Sequence, residues 1–147
     1  AYKYLAERDV HCLLYQGKYN LFNREPEEEG ILRQAKENGT GFIAFSPLAQ
    51  GLLTNRYLNG IPEDSRMARG GFLKKEQLTE DVLSKIKALN KMAEERGQTL
   101  AEMALAWVLK DDLVTSVIIG ASSVAQLEDN LKAIRNTSFT KEELRRL

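Results

Sequence analysis

Two stretches of this chain carry residue types suited to binding an anion. The first is Gly41-Phe42-Ile43-Ala44-Phe45-Ser46-Pro47-Leu48-Ala49-Gln50-Gly51-Leu52-Leu53, followed by the basic Arg56. Its apolar opening breaks at Ser-Pro, because Pro47 has no N–H for a strand ladder. The small and polar residues beyond the break leave backbone N–H groups to face a ligand's phosphates. An ordinary strand-to-loop corner is the alternative reading of the same residues. The second stretch is Ala121-Ser122-Ser123, ahead of a helix in which Ser123 and Gln126 have the capping-box spacing. A helix start offers unpaired N–H groups at the positive end of its dipole, where an anion can sit.

Other reactive residue types carry less. Glu27, Glu28 and Glu29 are consecutive, so their carboxylates splay around a helix, and they read as a solvated helix start rather than a metal site. The single His11 and single Cys12 have no second soft ligand, so no metal or triad arrangement is available to them. Packing at the mouth of an apolar segment is the role expected of both. Trp107 is expected in the core rather than as a platform for a ligand.

The elements that must position these residues follow from the pattern along the chain. Its 147 residues make about one domain, long enough to bury a core. Twenty-one basic side chains balance 21 acidic ones, so no overall field favours nucleic acid or an anionic membrane. No apolar run approaches the ~20 residues of a membrane span, and no signal peptide is visible. One cysteine allows no internal disulfide and fits a reducing cytoplasm.

Residues 1–8 read as the end of a helix, and 11–15 as a short buried strand. Residues 16–24 read as a polar, aromatic loop carrying side chains to a site. Pro26 then opens a helix that runs through Ile31, Leu32 and Ala35 to Asn38-Gly39. The strand through Phe45 reads as buried on both faces. Residues 55–72, with Arg56, Arg66 and Arg69 spread along them, form a long loop of the functional or mobile kind. Thr79 opens a helix closed by Gly97, and Thr99-Leu100-Ala101-Glu102 is a capping box for a helix that is apolar nearly all round. A last strand over 115–119 ends at Gly120. A helix with Val124, Leu127, Leu131 and Ile134 on one face follows it, and Thr140 caps a final short helix.

This alternation implies βαβ units, a parallel sheet and a ligand site at the C-terminal ends of the strands. Three strands make a poor free-standing parallel sheet, which needs cover on both faces and leaves open edges. The chain therefore reads as an α/β piece of a larger barrel.

In order and spacing, four segments closely resemble the C-terminal portion of the aldo-keto reductase superfamily. They are Tyr15-Gln16-Gly17-Lys18-Tyr19-Asn20-Leu21-Phe22-Asn23-Arg24; Ala44-Phe45-Ser46-Pro47-Leu48-Ala49-Gln50-Gly51-Leu52-Leu53-Thr54; Gly60-Ile61-Pro62 through Ser65-Arg66; and Val117-Ile118-Ile119-Gly120-Ala121-Ser122-Ser123 with Gln126-Leu127-Glu128-Asp129-Asn130. The nearest members are those related to bacterial L-glyceraldehyde 3-phosphate reductases and to potassium-channel β-subunits. The resemblance implies the last three βα units and C-terminal helix of a (β/α)8 TIM barrel. Residues 1–147 would then be the C-terminal part of one barrel domain, with the N-terminal half absent.

It also implies extended NADP(H) bound without a Rossmann motif, and the chain indeed lacks G-x-G-x-x-G. By that resemblance Gln16 would hydrogen-bond the nicotinamide carboxamide and Phe45 would stack on the nicotinamide ring. Ser46, Leu48, Gln50 and Gly51 would line the pyrophosphate, with Arg56 supplying charge. Ser65 and Arg66 match a segment that closes over the cofactor. Ser122, Gln126, Asp129 and Asn130 would hold the adenosine and its 2′-phosphate, with Asp129 standing where many relatives carry Glu. Gln126 keeps two readings, cap partner and adenosine ligand, and the family favours the second.

The family's catalytic Asp, Tyr, Lys and His belong to its N-terminal half and match nothing here. Lys18-Tyr19 falls in the loop after the sixth barrel strand and is assigned no catalysis. The expected function is thus the NADP(H)-binding portion of a reductase of aldehydes and ketones, inactive alone, with a small carbonyl substrate in the intact enzyme and pairing with a second copy possible. The alternative is a non-catalytic NADP(H)-binding or sensor module like the channel subunits.

Overall fold

β1 (Leu14–Lys18), β2 (Gly41–Phe45) and β3 (Ser116–Val117) lie parallel in that order in the computed structural model, which describes residues 2–63 and 75–147. Leu14 pairs with Gly41 and Lys18 with Phe45, while Ile43 pairs with Ser116. Side chains alternate across a sheet, so one face carries Tyr15, Gly17, Phe42, Ala44 and Val117, and the other Leu14, Gln16, Lys18, Ile43, Phe45 and Ser116.

The helices cover only the first of these faces. Phe42 and Ala44 pack there with Tyr19, Leu32, Leu53, Ala104, Trp107 and Val108 in one buried cluster. Trp107 is fully buried, as its apolar neighbours imply. Gly17 lies under the Phe42 ring, so closely that a Cβ would stand 2.7 Å from Phe42 Cζ. Tyr15 stacks on that ring at 5.6 Å and Tyr19 meets its edge at 6.3 Å. On the other face Leu14 is half-exposed, and so is Ile118 just beyond β3.

Strand boundaries differ from those expected. β1 lies three residues later than 11–15, and all its residues but Gly17 are exposed. Its register is set by the residues that meet Phe42, not by the apolar run ahead of them. His11 consequently has no packing role: its imidazole is in solvent, 3.6 Å from the Asp9 carboxylate. Cys12 is half-buried. β2 is buried on the helix side alone, and β3 keeps two of its five expected residues.

The helices are α1 (Tyr2–Ala6), α2 (Glu25–Glu28), α3 (Ile31–Glu37), α4 (Glu80–Glu95), α5 (Leu100–Val108), α6 (Val124–Leu131) and α7 (Lys141–Arg146). The helix expected from Pro26 to Asn38 is divided into α2 and α3 at Gly30, whose φ of +72° is left-handed. Thr79, Thr99 and Thr140 each cap a helix as expected, the latter two through full capping boxes. α5 is buried along its length apart from Ala101. The expected apolar face is left in solvent: Val124 and Leu131 of α6, and Ile134 just beyond it, are all more than half exposed.

Arg96, just past α4, fastens the C-terminal segment to the helical layer. Its guanidinium donates to Glu143 Oε1 at 2.6 Å, to Gln98 Oε1 and to the carbonyls of Asn136 and Ser138, and lies 3.8 Å over the Phe139 ring. Among the described residues no helix is long and apolar enough to cross a membrane, and no group of His, Cys, Asp and Glu could hold a metal.

Candidate functional site

A cavity of about 520 Å³ opens just past the C-terminal ends of β2 and β3. That is the end of a parallel sheet where ligands bind. It brings together Ser46, Leu48, Gln50, Gly51 and Arg56 on one side with Ser122 and Gln126 on the other. Pro47, Thr54 and Tyr57 complete the first wall and Ile118, Ile119, Gly120 and Ala121 the second. Most of these seven lie inside motifs that mark the site in sequence. Tyr57 carries no such signal.

The first wall is built from unusual backbone. Ser46, Ala49 and Gln50 have left-handed φ values of +53°, +47° and +59°, and Gly51 follows at +100°. Such conformations are uncommon outside glycine and gather at functional sites. Thr54 steadies the end of this turn: its hydroxyl donates to the Gly51 carbonyl at 2.7 Å and accepts from the Arg56 N–H at 3.2 Å.

The second wall continues the sheet, with the Ile118 N–H donating to the Ala44 carbonyl at 2.9 Å. It then turns into α6 through a displaced capping box. Ser123 Oγ accepts from the Gln126 N–H, but Gln126 Oε1 accepts from the N–H and hydroxyl of Ser122, at 2.7 and 3.0 Å. Gln126 is therefore a cap partner, one residue away from the spacing expected, and a lining residue as well. Arg56 is the one charged side chain among the described lining residues, and no carboxylate stands there. The cavity thus favours an anion.

The other expected residues lie elsewhere. Gln16 and Phe45 are on the uncovered sheet face, where Gln16 pairs with Ile43 and Phe45 immediately precedes the first wall. Asp129 is ion-paired with Lys132 at 2.6 Å, and that partner holds the Lys132 ammonium above its ordinary range. Asn130 is buried, and its Nδ2 has no hydrogen-bond partner. Ser65, Arg66 and Arg69 lie outside the described residues.

A tyrosine–lysine–carboxylate cluster sits apart from the cavity. The Tyr19 hydroxyl donates to Glu27 Oε2 at 3.1 Å and accepts from Lys110 Nζ at 2.8 Å. Burial first, and the Glu27 charge second, push the phenol far above its ordinary value. A proton donor for catalysis needs the opposite shift. The cluster is a core contact.

Comparison with known proteins places these features in context. Residues 2–147 match the family profile described as the aldo/keto reductase family. An Escherichia coli K12 protein named L-glyceraldehyde 3-phosphate reductase is 52% identical over 144 residues, covering 95% of this chain and 42% of that one. A probable voltage-gated potassium channel subunit beta of Arabidopsis thaliana is 40% identical over 128 residues, covering 85% and 39%. The holo form of an aldo-keto reductase from Bacillus halodurans superposes with a TM-score of 0.70 at 26% identity, covering 98% of this chain and 44% of that one. The chain spans about two fifths of the length of the curated relatives it matches, and its three-stranded sheet is a partial piece of their barrel fold.

Proposed function

The chain belongs to the aldo/keto reductase family, and on that premise we propose that it is the NADP(H)-binding portion of an oxidoreductase that converts aldehydes or ketones to alcohols. The observation that carries this reading is the cavity beyond β2 and β3, with left-handed backbone on one wall and Arg56 as the charged side chain among its described lining residues. A pyrophosphate is the group such a lining suits, because backbone N–H groups and the Arg56 guanidinium are the kinds of donor that take a phosphate charge. Asn130, within α6, carries a buried amide donor with no partner among the described residues.

In this reading Ser46, Leu48, Gln50 and Gly51 cradle the pyrophosphate, and Ser122, Gln126, Asp129 and Asn130 hold the adenosine with its 2′-phosphate. Gln16 orients the nicotinamide carboxamide, and Phe45 offers a flat apolar ring for stacking. The chemistry NADPH would supply there is a hydride for the carbonyl carbon. The carbonyl oxygen needs a proton at the same time, and this chain's Tyr19 cannot provide it from the core. In this reading the acid comes from protein outside these 147 residues, which would also cover the open sheet face. The substrate is a small carbonyl compound, and the setting is cytoplasmic. The higher identity to the reductase than to the channel subunit favours catalysis over a sensor role in the whole protein.

Calorimetric titration of the chain with NADPH, alongside Phe45→Ala and Gln126→Ala, tests the assignment. Submillimolar binding that both substitutions abolish is the expected result. Absence of binding by the folded chain would show that these residues do not form a nucleotide site on their own.

A further inference from the structure

We propose that Asn20 is a positioning residue for the cavity, its side-chain amide holding the Ser46 carbonyl so that the left-handed first wall keeps its shape for the ligand. The inference rests on the nucleotide reading above for the ligand's identity, but its structural part stands on geometry alone.

Asn20 lies two residues beyond the end of β1 and is 1% exposed. Its Nδ2 donates to the Ser46 carbonyl at 2.8 Å, while its Oδ1 accepts from the N–H groups of Phe22 and Asn23, each at 2.9 Å. Only one amide orientation satisfies this set, since two N–H donors require the oxygen and a carbonyl requires the nitrogen. The last backbone bond between β1 and β2 runs from the Tyr19 N–H to the Phe45 carbonyl, at 3.4 Å. At Ser46 the chain turns left-handed, so the ladder cannot continue, and the Asn20 side chain replaces it.

The Ser46 carbonyl accepts a second bond from the Ala49 N–H at 3.0 Å. Asn20 therefore fixes the start of the turn and Thr54 its end, with Ala49, Gln50 and Gly51 held between. Backbone of this type persists only when its surroundings over-determine it. Asn20 does this from the loop after β1, so the two βα loops are tied together.

Asn20→Asp separates the two jobs of the side chain. It keeps an acceptor for Phe22 and Asn23 but replaces the donor to Ser46 with a repelling oxygen. Residue-resolved amide exchange on the whole 147-residue chain should find Ala49, Gly51 and Leu53 exchanging about tenfold faster in Asn20→Asp. Phe22, Asn23 and the α5 amides should keep wild-type rates, whereas Asn20→Ala should also loosen Phe22 and Asn23. NADPH affinity should fall about tenfold in Asn20→Asp. Wild-type exchange rates at 49–53 in that variant would overturn the positioning role. A loosened wall with unchanged NADPH affinity would overturn its service to the ligand. Wild type that fails to bind NADPH while the exchange pattern holds would instead sink the nucleotide reading. If neither variant folds, the wild type still decides: slow exchange of an Asn20 side-chain amide proton supports the link, and solvent-rate exchange overturns it.

Discussion

The two faces of the three-stranded sheet are made by alternate residues of the same strands, yet they do different work. On the covered face Phe42 and Ala44 are sealed beneath Tyr19 and Trp107, and even Gly17 is shaped by its neighbour. On the open face Leu14, Gln16 and Lys18 are exposed and Ile43 and Phe45 only half-buried, and the apolar side of α6 is similarly bare. Stability is therefore concentrated on one side, and the two residues assigned to the nicotinamide, Gln16 and Phe45, lie on the other. A strand in a half-covered sheet can change its function at every second position without disturbing its core.

The sharpest test compares two phenylalanines three residues apart. Phe42→Ala removes a fully buried ring from between Gly17, Tyr15 and Tyr19. It should cost about 3–5 kcal/mol in a denaturant titration. Phe45→Ala should cost less in the same experiment, about 1–2 kcal/mol, because its ring is only half-buried, while removing the surface proposed to stack on the nicotinamide. Equal losses would break the division between the faces.

Arg96 tests whether the covered side depends on its helical layer as a whole. Its side chain is 5% exposed and satisfies Glu143, Gln98 and two carbonyls together. Arg96→Met retains apolar contact with Phe139 but leaves those acceptors short of donors. A loss of about 2–3 kcal/mol is expected, since hydrogen bonds to charged groups are the stronger kind. Affinity for the proposed nucleotide should move little in molecules that remain folded, because Arg96 is not among the cavity's lining residues.

These contrasts also explain what could be read from the residues alone. Thr99 with Glu102, Thr140 with Glu143 and the buried α5 were legible because caps and apolar density act within one or two turns. The ends of β1 were not. The apolar Leu13 and Leu14 promise a buried strand, but burial is decided by Phe42, a residue from another strand, lying over Gly17. The split at Gly30 had a local sign, a glycine in mid-helix, that the apolar spacing of Ile31, Leu32 and Ala35 outweighed. Both cavity walls were legible as motifs. The left-handed Ser46, Ala49 and Gln50 were not, because nothing in those residue types asks for positive φ. Asn20 and Thr54 impose it from outside the turn.

Gly17 offers a finer version of the same comparison. A methyl group there would lie 2.7 Å from Phe42 Cζ and 3.1 Å from Tyr15 Cε1, so Gly17→Ala must push the ring aside. The expected cost is about 1–3 kcal/mol, the usual range for overpacking. Its neighbour Lys18 points to the open face and is exposed, so Lys18→Ala should fall within about 0.5 kcal/mol of wild type. Thermal unfolding of the two variants would bring the face alternation down to adjacent residues.

The smallest effect expected is a pH dependence at the clamp of the helical layer. The Thr140 N–H, and then Arg96, hold the Glu143 carboxyl below its ordinary range. A carboxyl whose pKa is lower in the folded state stabilises the fold fully above its unfolded value, near 4.5. That contribution disappears as pH falls through the lower folded value, where both states are protonated. Glu143→Gln should therefore melt below wild type at neutral pH, and the two curves should converge on acidification. Because Glu143 is partly solvent-exposed, the neutral-pH gap should not exceed about 1 kcal/mol. An equal gap at every pH would mean that Glu143 acts through shape rather than charge, and the clamp would then be a packing contact like those around Phe42.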